Sequence, residues 1–457
     1  MRRTLVVFYE MILLFLSGLA AASARLSGDI WWEMIERRGL LKLLLVVLVM
    51  QMAFYFFDFY DLRSKQRYGR VLLSLIKSLL AAILVLSLLF YAWPKLALGR
   101  GIFLLHISIS FLLMAAWRYF INWGAYHPQL GARERVLILG SGKHAIEIAR
   151  AALERPGQGF QVVGFVDDKP ELIGKSLINP SVLGLTSELS DLVRRYRVDR
   201  LVVAVEDRRG KFPLKELLEL SLSRQVTIEE GTRFYEKLTG KVGVGMARPS
   251  FLIFSDSGRH SSLVRRIRRA ANVALAAMGL TLSLPLMLLI AIAIKLDSRG
   301  PIFYTQERVG KGGRRFRIIK FRSMRVDAED ESGPRWAEAD DPRVTRVGRI
   351  IRRLRFDELP QFINVLRGDM NFIGPRPERP QFVEKLNQLI PYYSQRHLVR
   401  PGLTGWAQIN YPYGASIEDA LEKLQYDLYY IKNRSFLLDA VILFETIKIV
   451  FFGRGAR

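Results

Sequence analysis

Asp357 and Glu358 stand side by side in "RFDELPQFINVLRGDMNFIGPRP" (355–377), with arginines at 352, 353, 355, 367 and 376 around them. Proline in a first turn is a helix-start signal, so Pro360 opens a helix that closes around Gly368, with both acids at its N-terminus. The partial positive charge of that terminus stabilises carboxylates. Capping explains one acid. It leaves the second acid and the surrounding arginines without a role. Adjacent residues point in different directions, so two carboxylates can serve two ligands, one a reacting phosphorus and the other a divalent cation. A carboxylate can attack phosphorus to form an acyl phosphate. The approach of one anion to another then requires neutralising charge, which Mg²⁺, Lys and Arg supply. These residue types suit phosphate chemistry, with one acid as nucleophile and the other as metal ligand.

The rest of the chain must hold that pair in place. It has 457 residues, enough for two or three domains, and a net charge of +25 from 68 Lys+Arg against 43 Asp+Glu. Half of the residues are nonetheless hydrophobic. Soluble nucleic-acid binders are seldom so apolar, and the basic run "ERVGKGGRRFRIIKFRSMR" (307–325) lacks the aromatic spacing of an RRM. The positive charge is better matched to anionic lipid heads or phosphorylated substrates than to nucleic acid. There is no Cys, hence no disulfide or thiolate site. The five His show no metal-ligand spacing, and His106, inside an apolar run, is read as a packing residue.

Four apolar segments, about 4–22, 41–60, 71–93 and 101–123, approach the ~20 residues that cross a bilayer. The first ends in a cleavage-like "LAAASA", but Glu10 lies within it and three further spans follow, so it is read as an uncleaved helix. "DLRSKQRYGR" (61–70) concentrates basic residues in one loop, and the positive-inside rule places both termini in the cytoplasm.

From residue 133 strands alternate with helices, the pattern of a parallel α/β sheet. "RVLILGSGKHAIEIAR" (135–150) gives a strand, a glycine turn and a helix, with Asp167 and Asp168 near the position of a ribose. Gly140 and Gly142 are therefore cofactor-binding candidates. The third glycine is replaced by Ala145, and such a turn can persist without a nucleotide. The single Tyr-x-x-x-Lys match, Tyr91 to Lys95, contains Pro94 at a membrane edge, which argues against a dehydrogenase or dehydratase site.

A fifth apolar run, 271–294, follows Arg265, Arg266, Arg268 and Arg269. Crossing would carry the carboxylate pair outside. Pro285 donates no N–H and clashes with the carbonyl four residues back, while the Ser283 hydroxyl can satisfy a freed backbone group. The run is read as a re-entrant helix that enters and leaves by the cytoplasmic face.

"GPIFYTQERVGKGGRRFRIIKFRSM", "RFDELPQFINVLRGDMNFIGPRP" and "RPGLTGWAQIN" resemble the bacterial sugar transferases of the monotopic phosphoglycosyl transferase superfamily, from about 262 to 457. The four spans and the Rossmann-like domain resemble its large members, and the C-terminal sequence is similar to an exopolysaccharide-associated branch. The resemblance implies transfer of a sugar-1-phosphate from a UDP-sugar to polyprenyl phosphate, releasing UMP, as a first membrane step of exopolysaccharide or O-antigen synthesis. It implies Asp357 as the nucleophile that carries the phosphosugar, Glu358 as an Mg²⁺ ligand, and Lys320, Arg352 and Arg376 as cationic substrate contacts. Ser283 and Pro285 occupy the place of the family's helix-breaking Ser-Pro, here separated by Leu284. After "GWAQIN" many members have Gly-Arg, whereas this chain has Tyr411-Pro412.

The expected fold class is membrane α plus α/β. A four-helix transmembrane domain (1–130) precedes a Rossmann-like domain (131–250) and a mainly helical catalytic domain (251–457). The expected location is the bacterial inner membrane, catalytic domain on the cytoplasmic face, in contact with inner-leaflet lipids. A homodimer is compatible with the resemblance. Two rival readings use the middle domain instead, as a nucleotide-sugar-modifying enzyme or as a nucleotide-sensing membrane scaffold.

Overall fold

The computed structural model describes residues 2–26, 38–60, 68–126, 133–205, 213–223, 226–246, 261–326, 341–411, 414 and 416–452. The chain divides into two compact units, Met1–Glu229 and Glu230–Arg457.

The first unit begins with α1 (Arg2–Arg25), α2 (Gly39–Phe56), α3 (Tyr68–Ala92) and α4 (Arg100–Tyr126), at the four apolar runs. Leu14, Val46, Met50, Phe54, Leu79, Leu86 and Met114 form their common core. Outward faces carry Leu41, Leu80, Leu84, Leu104 and Leu112, all exposed. Helices apolar all round are stable where lipid, not water, covers the outer face. Glu10 of α1 meets Arg118 of α4 in a buried ion pair, 3.0 Å apart, and the guanidinium lies 4.1 Å from the Phe59 ring centroid. Removing either partner would leave a bare buried charge, so this pair specifies how α1 and α4 face each other. His106 is buried and its Nε2 donates to the Leu14 carbonyl at 3.0 Å, in keeping with a packing role.

A five-stranded sheet follows, in the order β3-β2-β1-β4-β5. Its strands are β1 (Glu134–Leu139), β2 (Phe160–Asp167), β3 (Val182–Leu185), β4 (Arg200–Val203) and β5 (Thr227–Glu230). β1 runs parallel to both β2 and β4, and β2 parallel to β3. The apolar runs Val136–Leu139 and Leu201–Val203 are buried because α5 (Lys143–Leu153), α6 (Leu189–Arg195) and α7 (Leu214–Leu222) accompany the sheet. The β1–α5 turn needs Gly140, whose φ is +111° and whose missing Cβ would touch the Ala204 carbonyl at 3.0 Å. Ser141 donates to Asp167 at 2.5 Å, and the Lys169 N–H donates to the other Asp167 oxygen at 3.2 Å.

The second unit opens with α8 (Gly231–Thr239). The sequence pattern carries the middle domain to 250. Residues 231–244 instead pack with the C-terminal elements: Val242 and Val244 share a core with Val309, Leu424 and Leu428, Trp406 donates to the Gly240 carbonyl, and Lys432 pairs with Glu236.

The apolar run expected at 271–294 belongs to one longer helix, α9 (Ser262–Asp297), which continues through Pro285. At 36 residues it is about 54 Å long. The Ser283 hydroxyl donates to the Leu280 carbonyl at 3.3 Å, not to that of Thr281, the group Pro285 leaves without its usual donor. One face of α9 packs on the unit along most of its length. Arg269 donates to the carbonyls of Val365 and Leu366, both at 2.7 Å; Ala276 joins Phe362 and Val365; Met287, Ile290 and Ile294 join Phe321 and Ile351. At the far end Arg322 donates to the Ser298 and Arg299 carbonyls, and Asp297 accepts the Val347 N–H. The other face presents Met278, Leu282, Leu288, Leu289, Ile292 and Leu296, all exposed.

Candidate active site

Three separate pieces of backbone deliver the charged side chains. The first is an antiparallel hairpin of β6 (Phe303–Val309) and β7 (Arg315–Phe321), paired Tyr304 to Lys320 and Phe303 to Phe321. With a period of two, Lys320 shares a face with Phe316 and Ile318, which pack toward α9 and α11 (Gln361–Arg367). Asn364 of α11, fully buried, fixes this strand. Its Oδ1 accepts the Ile319 N–H at 3.0 Å and its Nδ2 donates to the Arg317 carbonyl at 2.8 Å, as a neighbouring strand would.

The second piece links α10 (Arg346–Arg353) to α11. Thr345 caps α10 by accepting the Gly348 N–H at 2.9 Å, and Arg352 lies in its last turn. Arg355 then takes φ +57°, a left-handed conformation costing roughly 1–2 kcal/mol in a residue with a Cβ. This reversal sets up a single 3₁₀ turn, Phe356–Glu358, which holds both acids. They sit immediately ahead of α11, whose N-cap is Pro360, at the helix N-terminus where the sequence reading puts them. Gly368, φ +94°, ends it.

The third piece carries Arg376. β8 (Asn371–Ile373) and β9 (Gly402–Thr404) pair in parallel. A Cβ on Gly374 would lie 2.4 Å from the Arg400 carbonyl oxygen, and one on Gly402 2.1 Å from the Gly374 nitrogen. Only glycines let these backbones meet and present the Pro-Arg-Pro that follows. Arg396 steadies this segment: it donates to the Arg376 carbonyl at 2.9 Å, to Asp427 at 2.8 Å and to the Tyr393 hydroxyl at 2.7 Å. Asp427 belongs to α14 (Ile417–Lys432).

The structure therefore gathers Lys320, Arg352, Asp357, Glu358 and Arg376 into one cluster. Glu358 Oε1 accepts hydrogen bonds from Arg376 at 2.5 Å and from Lys320 at 3.1 Å, and its Oε2 has a longer 3.4 Å contact with Arg376. Burial opposes its charge, yet Arg376 and Lys320 outweigh burial and hold Glu358 well below the usual carboxylate range. Asp357 behaves in the opposite way. It is buried, and among the described residues none donates a hydrogen bond to its carboxylate. Burial, reinforced by repulsion from Glu358, pushes it up to about 6 against the attraction of Lys320, Arg376 and Arg352. Two adjacent acids thus have different states: one locked as an anion between cations, the other poised to titrate just below neutrality.

Gly140 and Gly142 lie at the β1–α5 turn of the first unit, and Ser283 and Pro285 lie inside α9. The Tyr411 hydroxyl donates to Asp419, which completes the capping box of α14 with Ser416; Pro412 falls outside the described residues. Asn364, Arg396 and Asp427 escape the reading of the sequence. A signal for Asp427 was present: it falls on the apolar stripe of its helix, beside Leu424 and Leu428, where an unpaired carboxylate would be unstable.

A family profile described as bacterial sugar transferase matches residues 263–453, and one described as a CoA-binding domain matches 55–218. A UDP-N-acetylgalactosamine-undecaprenyl-phosphate N-acetylgalactosaminephosphotransferase of Aeromonas hydrophila is 48% identical over 222 residues, 49% of this chain and 52% of that protein. An undecaprenyl-phosphate glucose phosphotransferase of Komagataeibacter xylinus is 33% identical over 377 residues, 81% of this chain and 69% of that protein. An exopolysaccharide production protein, PSS, of Rhizobium leguminosarum bv. phaseoli is 40% identical over 186 residues, 40% of this chain and 93% of that protein. The match to the Aeromonas protein spans about half of its length. Taken with the cluster's position inside 263–453, these likenesses show that the chain belongs to the bacterial sugar transferases, within the superfamily of polyprenyl-phosphate sugar-1-phosphate transferases.

Proposed function

We propose that the chain transfers a sugar-1-phosphate from a UDP-sugar to polyprenyl phosphate at the cytoplasmic face of the bacterial inner membrane, an initiating step of exopolysaccharide or O-antigen synthesis. The observation that carries this reading is the asymmetry of the acid pair: Glu358 is held through its Oε1 by Arg376 and Lys320, while Asp357 has no described donor to tie up its oxygens. In the first step an ionised Asp357 oxygen bonds to the sugar-bearing phosphorus. The bond from that phosphorus to the UMP oxygen breaks, and UMP leaves with the electron pair. In the second step a polyprenyl phosphate oxygen attacks the same phosphorus, the Asp357–phosphorus bond breaks, and the carboxylate is restored. Lys320, Arg352 and Arg376 neutralise the phosphates that must approach these anions. Two of the relatives are named for different sugars, so the donor is assigned only as a UDP-hexose or its N-acetylated form.

The donor set also fits Mg²⁺. A hard cation completed by substrate phosphates and water needs only one or two protein carboxylates, and Glu358 Oε2 keeps room beyond its 3.4 Å contact. Glu358, with Asp357 beside it, would hold the ion, which when bound supplies further neutralisation of phosphate charge. We place α9 within the cytoplasmic leaflet. Its residues from Arg269 to Asp297 pack on one catalytic unit, and its opposite face is an exposed apolar stripe suited to acyl chains. The four N-terminal helices span the bilayer.

With purified protein, UDP-sugar and polyprenyl phosphate, the released nucleotide should be UMP. Without acceptor, the mass of the peptide containing Asp357 should rise by one phosphosugar. Release of UDP, or an adduct of normal yield on Asp357→Asn, would overturn the reading.

A further inference from the structure

The basic start of α9 contains a second arrangement of charge that shares no side chain with the Asp357 cluster. Arg269 is accounted for by the two carbonyls it caps. Its neighbour Arg268 is 7% exposed, and among the described residues its one acidic partner is Asp439, 3.5 Å from Nη1. Asp439 is already shared, since its other oxygen accepts the Tyr430 hydroxyl at 2.8 Å. The Arg268 Nε is buried and meets no acceptor. Arg434 completes the group. Its guanidinium lies 5.9 Å from the Tyr430 ring centroid, its own Nε is buried without an acceptor, and it is close enough to Arg268 for the two cations to repel. Two guanidiniums thus face one carboxylate and a neutral phenol. One carboxylate offsets only one of the two cations, and the spare positive charge beside buried, acceptor-less guanidinium nitrogens is one that an anion would neutralise.

The surroundings identify that anion. Leu263 and Ile267, on the first two turns of α9, are exposed, as are Phe436 and Leu437 at the start of α15 (Phe436–Phe452). The Phe436 ring lies 5.0 Å from the Arg268 guanidinium. A free aqueous anion gains nothing from such neighbours. A lipid phosphate brings acyl chains that cover them, and the basic end of an apolar helix lies at headgroup depth. We propose that Arg268 and Arg434 bind the phosphodiester of a bilayer phospholipid, with Tyr430 and Asp439 orienting the Arg268 side, as an anchor separate from the acceptor site. This inference needs only the membrane placement of α9 and stands apart from the transferase reading.

The test uses the full chain in detergent, titrated with dioctanoyl phosphatidylglycerol while its melting temperature is followed. The lipid should raise the melting temperature of the wild type, and inorganic phosphate at the same concentration should not. Arg434 is only partly buried, so R434Q should fold yet need at least ten-fold more lipid for the same rise. R434K should regain most of the response, which separates lost binding from lost folding. K385Q, an exposed charge on α12 (Pro380–Leu389), should respond like wild type. A wild-type lipid response in R434Q, or an equal response to inorganic phosphate, would overturn the proposal.

Discussion

In the proposed reaction, Asp357 is where stability and reactivity oppose each other. Its carboxyl is raised to about 6 in the folded chain, against an ordinary value near 4. The folded state therefore holds this proton more tightly than the unfolded state. The contribution to stability is greatest at low pH and is lost as pH rises through about 6, a cost of at most ~3 kcal/mol at pH 8. Asp357→Asn should abolish adduct formation yet melt at higher temperature than wild type at pH 8, with the gain vanishing by pH 4. A lower melting temperature at pH 8 would mean that the carboxylate is stabilised in the fold by something other than these neighbours. Adduct formation by the wild type should fall below about pH 6 as Asp357 protonates. In Glu358→Gln the repelling anion is gone and Lys320 and Arg376 are released, so the acid limb of any residual activity should move to lower pH. A limb that stays in place would show that Glu358 does not govern Asp357. At this scale the sequence displayed the charged members of the site, because acids among arginines are conspicuous by type. It did not display Asn364, which meets the Ile319 N–H and the Arg317 carbonyl, or Arg396, which joins the Arg376 carbonyl to Asp427 and Tyr393, because such pairings across the fold have no signature in side-chain type.

Among the elements, β7 and α9 decide the geometry. β7 reaches α11 through Asn364, which satisfies the Ile319 N–H and the Arg317 carbonyl. Asn364→Leu leaves both buried groups unpaired and should cost ~2–4 kcal/mol. The strand that carries Lys320 would loosen, so adduct formation should slow by more than an exposed Lys385→Ala change allows. An unaltered melting temperature would show that the pairing is replaceable. α9 was legible as an apolar run but not as a 36-residue helix. Hydropathy marks where lipid-facing residues begin, whereas the ends of this helix are set by polar bonds: Arg269 onto α11 at one end, Arg322 and the Val347 N–H at the other. Because both ends bind the same unit, single cysteines at Ser262 and Arg299 in this Cys-free chain should both resist an impermeant maleimide on intact cells. Labelling at 299 from outside would contradict the one-leaflet placement.

For the whole molecule, the boundary between the units matters more than the sequence pattern suggested. Residues 231–246 follow directly from the sheet in sequence, and strand-helix alternation assigns them to it; burial of Val242 and Val244 beside Val309 and Leu424 assigns them to the C-terminal unit. A chain beginning at 226 should keep adduct formation, whereas one beginning at 255 loses the Trp406–Gly240 bond, the Lys432–Glu236 pair and part of that core. The shorter chain should melt at clearly lower temperature; equal melting temperatures would make α8 an ornament. The parallel order of the sheet was open to reading because buried strand runs and a glycine turn are local signals, while the partner of α8 is settled only by packing at a distance along the chain. The packing of α9 on its own catalytic unit has one further effect. A helix that crosses must match the hydrocarbon thickness, but one seated in a single leaflet is gauged from the headgroup plane alone. In the proposed one-leaflet placement the reacting phosphorus would keep a constant height above the near surface, so the transfer rate should stay level as nanodisc lipids are lengthened, with any strain from mismatch falling on α1 to α4.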